Sequence, residues 1–224
     1  EWTLLQYATA KIGAIMVNIN PAYRTSELIY VINQSGISYI FAAPQFKSSN
    51  YKKMIDDARE FTETLRKEVY WGESWQHFLA HGEKVTDEKL LSFEERVQFD
   101  DPVNIQYTSG TTGNPKGVTL SHHNILNNAY FIGIRMNYTE KDRVCIPVPF
   151  YHCFGMVIGN IACTTRGATM VIPNDSFDAT KTLEAVEKEK CTSLYGVPTM
   201  FISELYVLDK QPYDLSSLRT GVMA

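Results

Sequence analysis

Tyr107-Thr108-Ser109-Gly110-Thr111-Thr112-Gly113-Asn114-Pro115-Lys116-Gly117 lies between two runs, 103–107 and 116–120, that read as β-strands. From Thr108 to Lys116 the loop holds four hydroxyls, two glycines and one lysine. Glycine lets a backbone turn tightly and bring its N–H groups close to a ligand. Successive N–H groups in such a turn form a concave anion site. Hydroxyls add donors that rotate to suit, and Lys116 adds a full positive charge on a long stem. Thr108, Ser109, Gly110, Thr111, Thr112, Gly113, Asn114, Pro115 and Lys116 together suit a polyphosphate. A flexible Gly/Ser/Thr connector has a similar composition, so the residues alone leave both readings open. A Walker-type loop is excluded, because Pro115 precedes Lys116 and Gly117 follows it, where that pattern needs Gly-Lys-Ser/Thr. A dinucleotide fingerprint fails too, for want of G-x-G-x-x-G in this stretch.

Around the loop, helical and extended patterns alternate. Downstream, Ser121 can cap a helix to about 136. Then follow a strand at 144–148, a helix at 152–165, a strand at 168–173, a helix at 178–190 and a strand at 191–195. Pro198 suits the first turn of the next helix, to about 208, and 218–222 reads as a last strand. Upstream, a helix at 2–12 ends at Gly13, followed by a strand at 14–17. A helix starting at Thr25, a strand at 39–43, a helix at 45–59, a short strand at 68–71 and a short helix at 75–81 come next. Residues 83–101 dissolve into charge and read as a solvated loop. This alternation predicts an α/β fold with mostly parallel sheets covered by helices. It is divided here into portions 1–100 and 101–224, the second carrying the loop.

The bulk properties narrow the function. A net charge of −4 argues against a nucleic-acid surface but leaves room for a small anionic ligand. No run of 18 apolar residues occurs, so no membrane-spanning helix is expected. Cys145, Cys153, Cys163 and Cys191 form no C-x-x-C pair and read as small apolar residues in a reducing compartment. Both ends of the sequence are abrupt, so it reads as a piece of a longer protein.

The decapeptide from Thr108 to Gly117 resembles the signature of the adenylate-forming superfamily, which includes acyl-CoA synthetases, luciferases and the adenylation domains of peptide synthetases. Gly13-Ala14 through Asn20-Pro21-Ala22-Tyr23 is similar to an upstream motif of that family. So are Lys116 to His122 and Asn124, Pro149-Phe150-Tyr151-His152 with Gly155, and Tyr195-Gly196-Val197-Pro198-Thr199. Overall the chain resembles most the medium-chain acyl-CoA synthetases. The resemblance implies the large N-terminal domain of such an enzyme, with ATP, Mg²⁺ and coenzyme A at work and a fatty acid as substrate. It implies that Lys116 and His152 are catalytic and that Thr112 meets the metal of Mg-ATP. His152, Tyr195, Gly196, Val197 and Pro198 would line the acyl site, and the location would be the mitochondrial matrix, otherwise the cytoplasm. The later motifs that hold the nucleoside, and the small C-terminal domain, are expected outside these residues, so this stretch alone is expected to be inactive. Two other readings stay open: an adenylating enzyme for a non-fatty carboxylate, and a truncated isoform acting only as a binding module.

Weaker signals have plainer explanations. Without the resemblance, His152 among aromatics reads first as a packed residue, and 195–198 reads equally as core at a strand end. His122 and His123 open a helix and are assigned no chemistry. Asp56-Asp57, Glu94-Glu95 and Asp100-Asp101 are adjacent carboxylates that cannot converge as an acid/base pair.

Overall fold

The computed structural model describes residues 1–108 and 113–224, which form two compact units, Glu1–His122 and His123–Ala224. The first unit runs α1 (Trp2–Lys11), β1 (Met16–Asn18), α2 (Thr25–Ser35), β2 (Tyr39–Ala42), α3 (Tyr51–Arg59), β3 (Lys67–Tyr70), α4 (Glu73–Gly82), α5 (Asp87–Glu94), β4 (Pro102–Thr108) and β5 (Lys116–Ser121). Strands β2 and β3 pair in parallel, Ile40 opposite Glu68. Strand β1 pairs in parallel with β4, Met16 opposite Asn104, and β4 turns back antiparallel into β5. Residues 101–122 therefore fold with the first unit.

Period-two alternation explains how β2 is covered. Ile40 packs with Leu28, Val31 and Ile32 of α2 and with Ile55 and Ala58 of α3. Its neighbour Phe41 packs against the cluster of Leu5, Val69 and Trp75 instead. The spacing Leu28, Val31, Ile32 is one helical stripe.

Two expectations change in this unit. The helix expected from 45 starts only at Tyr51, because Phe46 and Ser49 exchange backbone hydrogen bonds of 2.9 and 3.0 Å. Asn50 then caps it, its side chain accepting from the Lys53 N–H at 2.9 Å. The charged stretch 83–101, expected as a loop, contains α5. Thr86 caps this helix by accepting from the Lys89 N–H, and Asp87 and Glu88 suit the positive end of its dipole. The helix buries no residue, so it leaves no apolar period to read.

The second unit runs α6 (His122–Arg135), β6 (Arg143–Cys145), a π-helix (Phe154–Ile161), α7 (Ala162–Arg166), β7 (Thr169–Val171), α8 (Ala179–Glu189), β8 (Ser193–Gly196), α9 (Pro198–Leu208) and β9 (Thr220–Met223). Its sheet has the order β7-β6-β8-β9, all parallel. Val144 and Tyr195 pack with Phe154 and Cys163 on one face, while Cys145 and Leu194 pack with Val186 of α8 on the other. Helices thus cover both faces. Paired β6 is shorter than the expected 144–148. Ile146 still donates to the Val171 carbonyl at 2.9 Å, but Pro147 and Pro149 have no N–H to offer. The helix expected at 152–165 is present, with its first eight residues in π rather than α geometry. Those residues are almost wholly buried and, Asn160 apart, apolar, so they carry no period.

Two buried carboxyls in this unit have opposite fates. Asp142, 4% exposed, sits just before β6. Its oxygens accept from the Thr139 N–H at 2.8 Å, the Thr192 hydroxyl at 2.6 Å and Arg219 Nε at 2.9 Å. Arg219 also donates to the carbonyls of Met136 and Asn137 at 3.1 and 2.9 Å. Burial alone would raise Asp142, but the hydrogen bonds from Arg219, Thr192 and Thr139 outweigh it and hold the carboxyl at about 2. Glu204 on α9 is 3% exposed, and its Oε1 has no hydrogen-bond partner among the described residues. Burial pushes Glu204 up to about 7.

The signs follow from linkage. Asp142 is lower in the folded state than its ordinary 3.8, so its stabilisation is complete above about 4 and is lost as pH falls toward about 2. Asp142→Asn is expected to cost about 2–3 kcal/mol at neutral pH in denaturant melts, with the deficit narrowing below pH 4. Glu204 is higher than its ordinary 4.5, so its relative stabilisation is present below about 4.5 and is lost as pH rises through about 7. Glu204→Gln should therefore melt higher than the parent at pH 8, by about 1–3 kcal/mol, and converge with it near pH 5. Equal melting of the two proteins at pH 8 would refute this account of Glu204.

Candidate functional site

The loop begins where β4 ends and closes where β5 begins. Thr108 and Lys116 are register partners, as are Tyr107 and Gly117, so the hairpin fixes both ends of the loop opposite each other. Both Thr108 and Lys116 are exposed, as are Gly113 and Asn114, while Pro115 is half-buried. Gly113 has φ +121°, a conformation that a residue with a Cβ rarely adopts. Ser109, Gly110, Thr111 and Thr112 lie outside the described residues.

Polar groups beneath the loop hold its base in place. The Tyr107 hydroxyl meets the Ser35 hydroxyl at 2.6 Å and donates to Gln34 Oε1 at 2.8 Å, tying the end of β4 to the end of α2. Asn18 donates to Gln106 across the β1–β4 pair at 3.1 Å, and Asn104 donates to the Met16 carbonyl at 2.9 Å. A one-residue slip would break these buried bonds, so they set the register that carries the loop. In the sequence, Tyr107 marks only the edge of the loop. Its partners lie more than 70 residues away, beyond any local signal.

The second unit builds a rim at the carboxyl ends of its parallel strands, where ligands bind in open α/β sheets. Strand β6 leads to Pro149-Phe150-Tyr151-His152, and its neighbour β8 leads to Gly196-Val197-Pro198. Phe150, Val197 and Met200 all pack on one cluster that includes Ile146, Val148, Phe154 and Tyr195. The two connections thus share a floor.

His152 is exposed on this rim. Its Nδ1 accepts the Phe154 backbone N–H at 3.1 Å. A ring nitrogen that accepts carries no proton, so the neutral imidazole holds its proton on Nε2 and can donate there. Gly155 allows this turn: a Cβ on it would lie 2.4 Å from the Pro149 carbonyl oxygen and 3.0 Å from Phe150 Cα.

Tyr195 is fully buried, stacked on Phe154 with ring centroids 5.6 Å apart. Its hydroxyl accepts from Tyr138 at 3.0 Å and donates to the Ile158 carbonyl of the π-helix at 3.1 Å. The Tyr138 hydroxyl also meets Ser193 at 2.7 Å. Burial pushes Tyr138 up to about 12 and raises Tyr195 as well, so both phenols stay neutral. The Tyr195 side chain therefore belongs to the floor. Gly196 is buried too, leaving half-buried Val197 and exposed Pro198 at the rim. Tyr138 and the π-helix were not singled out from the sequence, because a buried Tyr–Ser–Tyr contact has no spacing signature.

The whole chain, residues 1–224, matches the AMP-binding enzyme family. It is 43% identical over 247 residues to YngI of Bacillus subtilis (strain 168), which carries the name of an acyl-CoA synthetase, covering 100% of this chain and 44% of that protein. It is 38% identical over 254 residues to the medium-chain acyl-CoA ligase ACSF2, mitochondrial, of Danio rerio, covering 100% of this chain and 40% of the relative. The solved Mycobacterium tuberculosis fatty acyl CoA synthetase superposes with a TM-score of 0.78 at 25% identity, over 99% of this chain and 41% of that one. The chain thus spans less than half the length of these relatives. Among the described residues, no helix is long and apolar enough to cross a membrane.

The close approach of Gly155 yields a prediction. Gly155→Ala must displace backbone at Pro149 and Phe150, whereas a Cβ on Gly159 presses on side-chain atoms of Ile146, at 3.1 and 3.2 Å, and meets the Phe154 carbonyl oxygen at an ordinary 3.5 Å. Gly155→Ala is expected to cost about 1–3 kcal/mol in thermal or denaturant melts, and Gly159→Ala less. In imidazole nitrogen NMR, Gly155→Ala should also lose the Nδ1-acceptor signature of His152, which the parent keeps.

Proposed function

The chain belongs to the AMP-binding enzyme family, and on that premise we propose that it is the phosphate- and acyl-binding part of a medium-chain fatty acid–CoA ligase. The observation that carries this reading is the loop from Thr108 to Lys116, slung between register-paired strand ends with its lysine exposed. The names of YngI and ACSF2 support acyl-CoA formation, and that of ACSF2 supports both the medium-chain substrate and a mitochondrial location.

The reaction divides a hard step in two. A carboxylate is a poor acyl donor because its oxygen leaves badly. In the first half, a fatty acid carboxylate oxygen bonds to the α-phosphorus of ATP and the bond to pyrophosphate breaks, giving acyl-AMP. In the second, the thiol of coenzyme A, losing its proton, bonds to the acyl carbon and AMP leaves. Thr108, Ser109, Gly110, Thr111, Thr112, Gly113 and Asn114 would cradle the phosphates through backbone N–H and hydroxyl donors, while Pro115, which has no N–H, would shape the turn before Lys116. Lys116 would neutralise charge that builds on the departing pyrophosphate. His152, with its Nε2 proton, would donate to the acyl carboxylate and orient it. The rim at Val197 and Pro198, over the floor of Tyr195 and Gly196, would seat the start of the acyl chain.

Mg²⁺ fits this site as a companion of the nucleotide. Among the described residues, no three His, Cys, Asp or Glu side chains gather into a metal cage. Mg²⁺ commonly binds through substrate phosphates and few protein groups, and Thr112 is the hydroxyl assigned to it. When bound, it would withdraw charge from the phosphates.

Fatty-acid-dependent ATP–pyrophosphate exchange by the intact protein tests the reading. The expected result is exchange with a maximum at medium chain lengths. Lys116→Ala should slow it about 10²–10³-fold or more. His152→Ala should also slow adenylation, and His152→Asn, which keeps an N–H donor, should recover part of the loss. Full exchange in Lys116→Ala would sink the loop assignment. Exchange only with aromatic or amino acids would overturn the fatty-acid assignment while leaving the loop's role intact.

A further inference from the structure

His77 and His81 stand one turn apart on α4, both exposed, with ring centroids 5.6 Å apart and planes tilted by 37°. The i,i+4 spacing is the one at which a helix brings two imidazoles to a common point. His81 Nδ1 lies 2.7 Å from the His77 carbonyl oxygen. A carbonyl can only accept, so this nitrogen carries the proton and Nε2 keeps its lone pair. Metal-ligating histidines are oriented in the same way, by donating the other ring N–H to a backbone carbonyl or carboxylate. Both rings line an open pocket of about 390 Å³, together with Lys67, Val69, Ser74 and Phe78.

We propose that His77 and His81 form a two-imidazole site for a borderline divalent ion of the Zn²⁺ type. Neutral imidazole is the ligand such ions favour, ahead of Mg²⁺ or Ca²⁺. Among the described residues no third His, Cys, Asp or Glu joins them, and solvent would supply further ligands. The site is therefore open, and the ion exchanges with the medium. Lys67 works against a bare dication, but its long stem can carry the ammonium away toward water. A bound ion would staple the last turn of α4. The inference is independent of the ligase reading.

Calorimetric titration of the untagged intact protein with zinc chloride tests it, beside His77→Ala, His81→Ala and the control His123→Ala. His77 and His81 are exposed, so their removal leaves the core packed, which circular dichroism would verify. The parent and the control are expected to bind one ion per chain at this site, and each single variant to bind it about tenfold or more weakly. Unchanged binding in either variant, or no saturable binding by the parent, would overturn the paired site. Unchanged binding in both would move the ion to other ligands, such as the half-buried Cys153 thiol.

Discussion

Asp142 joins separate elements at the amino ends of the second unit's strands. It holds Thr139 after α6, Thr192 before β8 and Arg219 before β9, while its own backbone leads into β6. Parallel strands need this more than antiparallel ones, because no tight hairpin ties their ends together. A saturated carboxylate supplies the tie through charge-assisted bonds, which are the strong ones. With the amino ends of the strands clamped, the carboxyl ends are free to carry connections chosen for chemistry. Pro147 and Pro149 release β6 from the ladder there, and the chain turns to present His152.

The first unit reaches the same end by another route. Its loop sits on an antiparallel hairpin, so the strand pairing itself aligns Thr108 with Lys116. Buried amides then fix that hairpin against β1: Asn18 with Gln106, and Asn104 with the Met16 carbonyl. In both units a buried polar contact sets position, and Thr108, Lys116 and His152 stay exposed nearby. The contrast with Glu204 shows the cost of the arrangement. A carboxyl that finds no donor is driven toward its neutral form, while one that finds several is held ionised.

Local chemistry accounts for what could be read from the sequence. The α/β alternation, the mostly parallel pairing, Pro198 in the first turn of α9 and the strands flanking the loop are all written in short-range patterns. Three kinds of feature were illegible. Helix α5 buries nothing, so it has no apolar stripe. The helix expected at 45 is delayed by the backbone pairing of Phe46 and Ser49, which composition does not reveal. The Tyr138–Tyr195 contact joins residues 57 apart, so only the fold creates it. In the sequence the candidate site could be named only as a loop and a histidine. The direction in which that histidine offers its proton emerged only from the Phe154 N–H.

The π-helix from Phe154 to Ile161 also bears on how related sequences compare. Such a segment holds more residues per turn than an α-helix. Removing one residue would let the segment tighten into α geometry and rotate everything beyond it by about a quarter turn or more. Tyr195 hangs on the Ile158 carbonyl within it, and Phe154 stacks on the same ring. A one-position gap opposite this segment in a related sequence would therefore record a change of shape. It would mark a lineage in which the floor beneath the rim had been rebuilt.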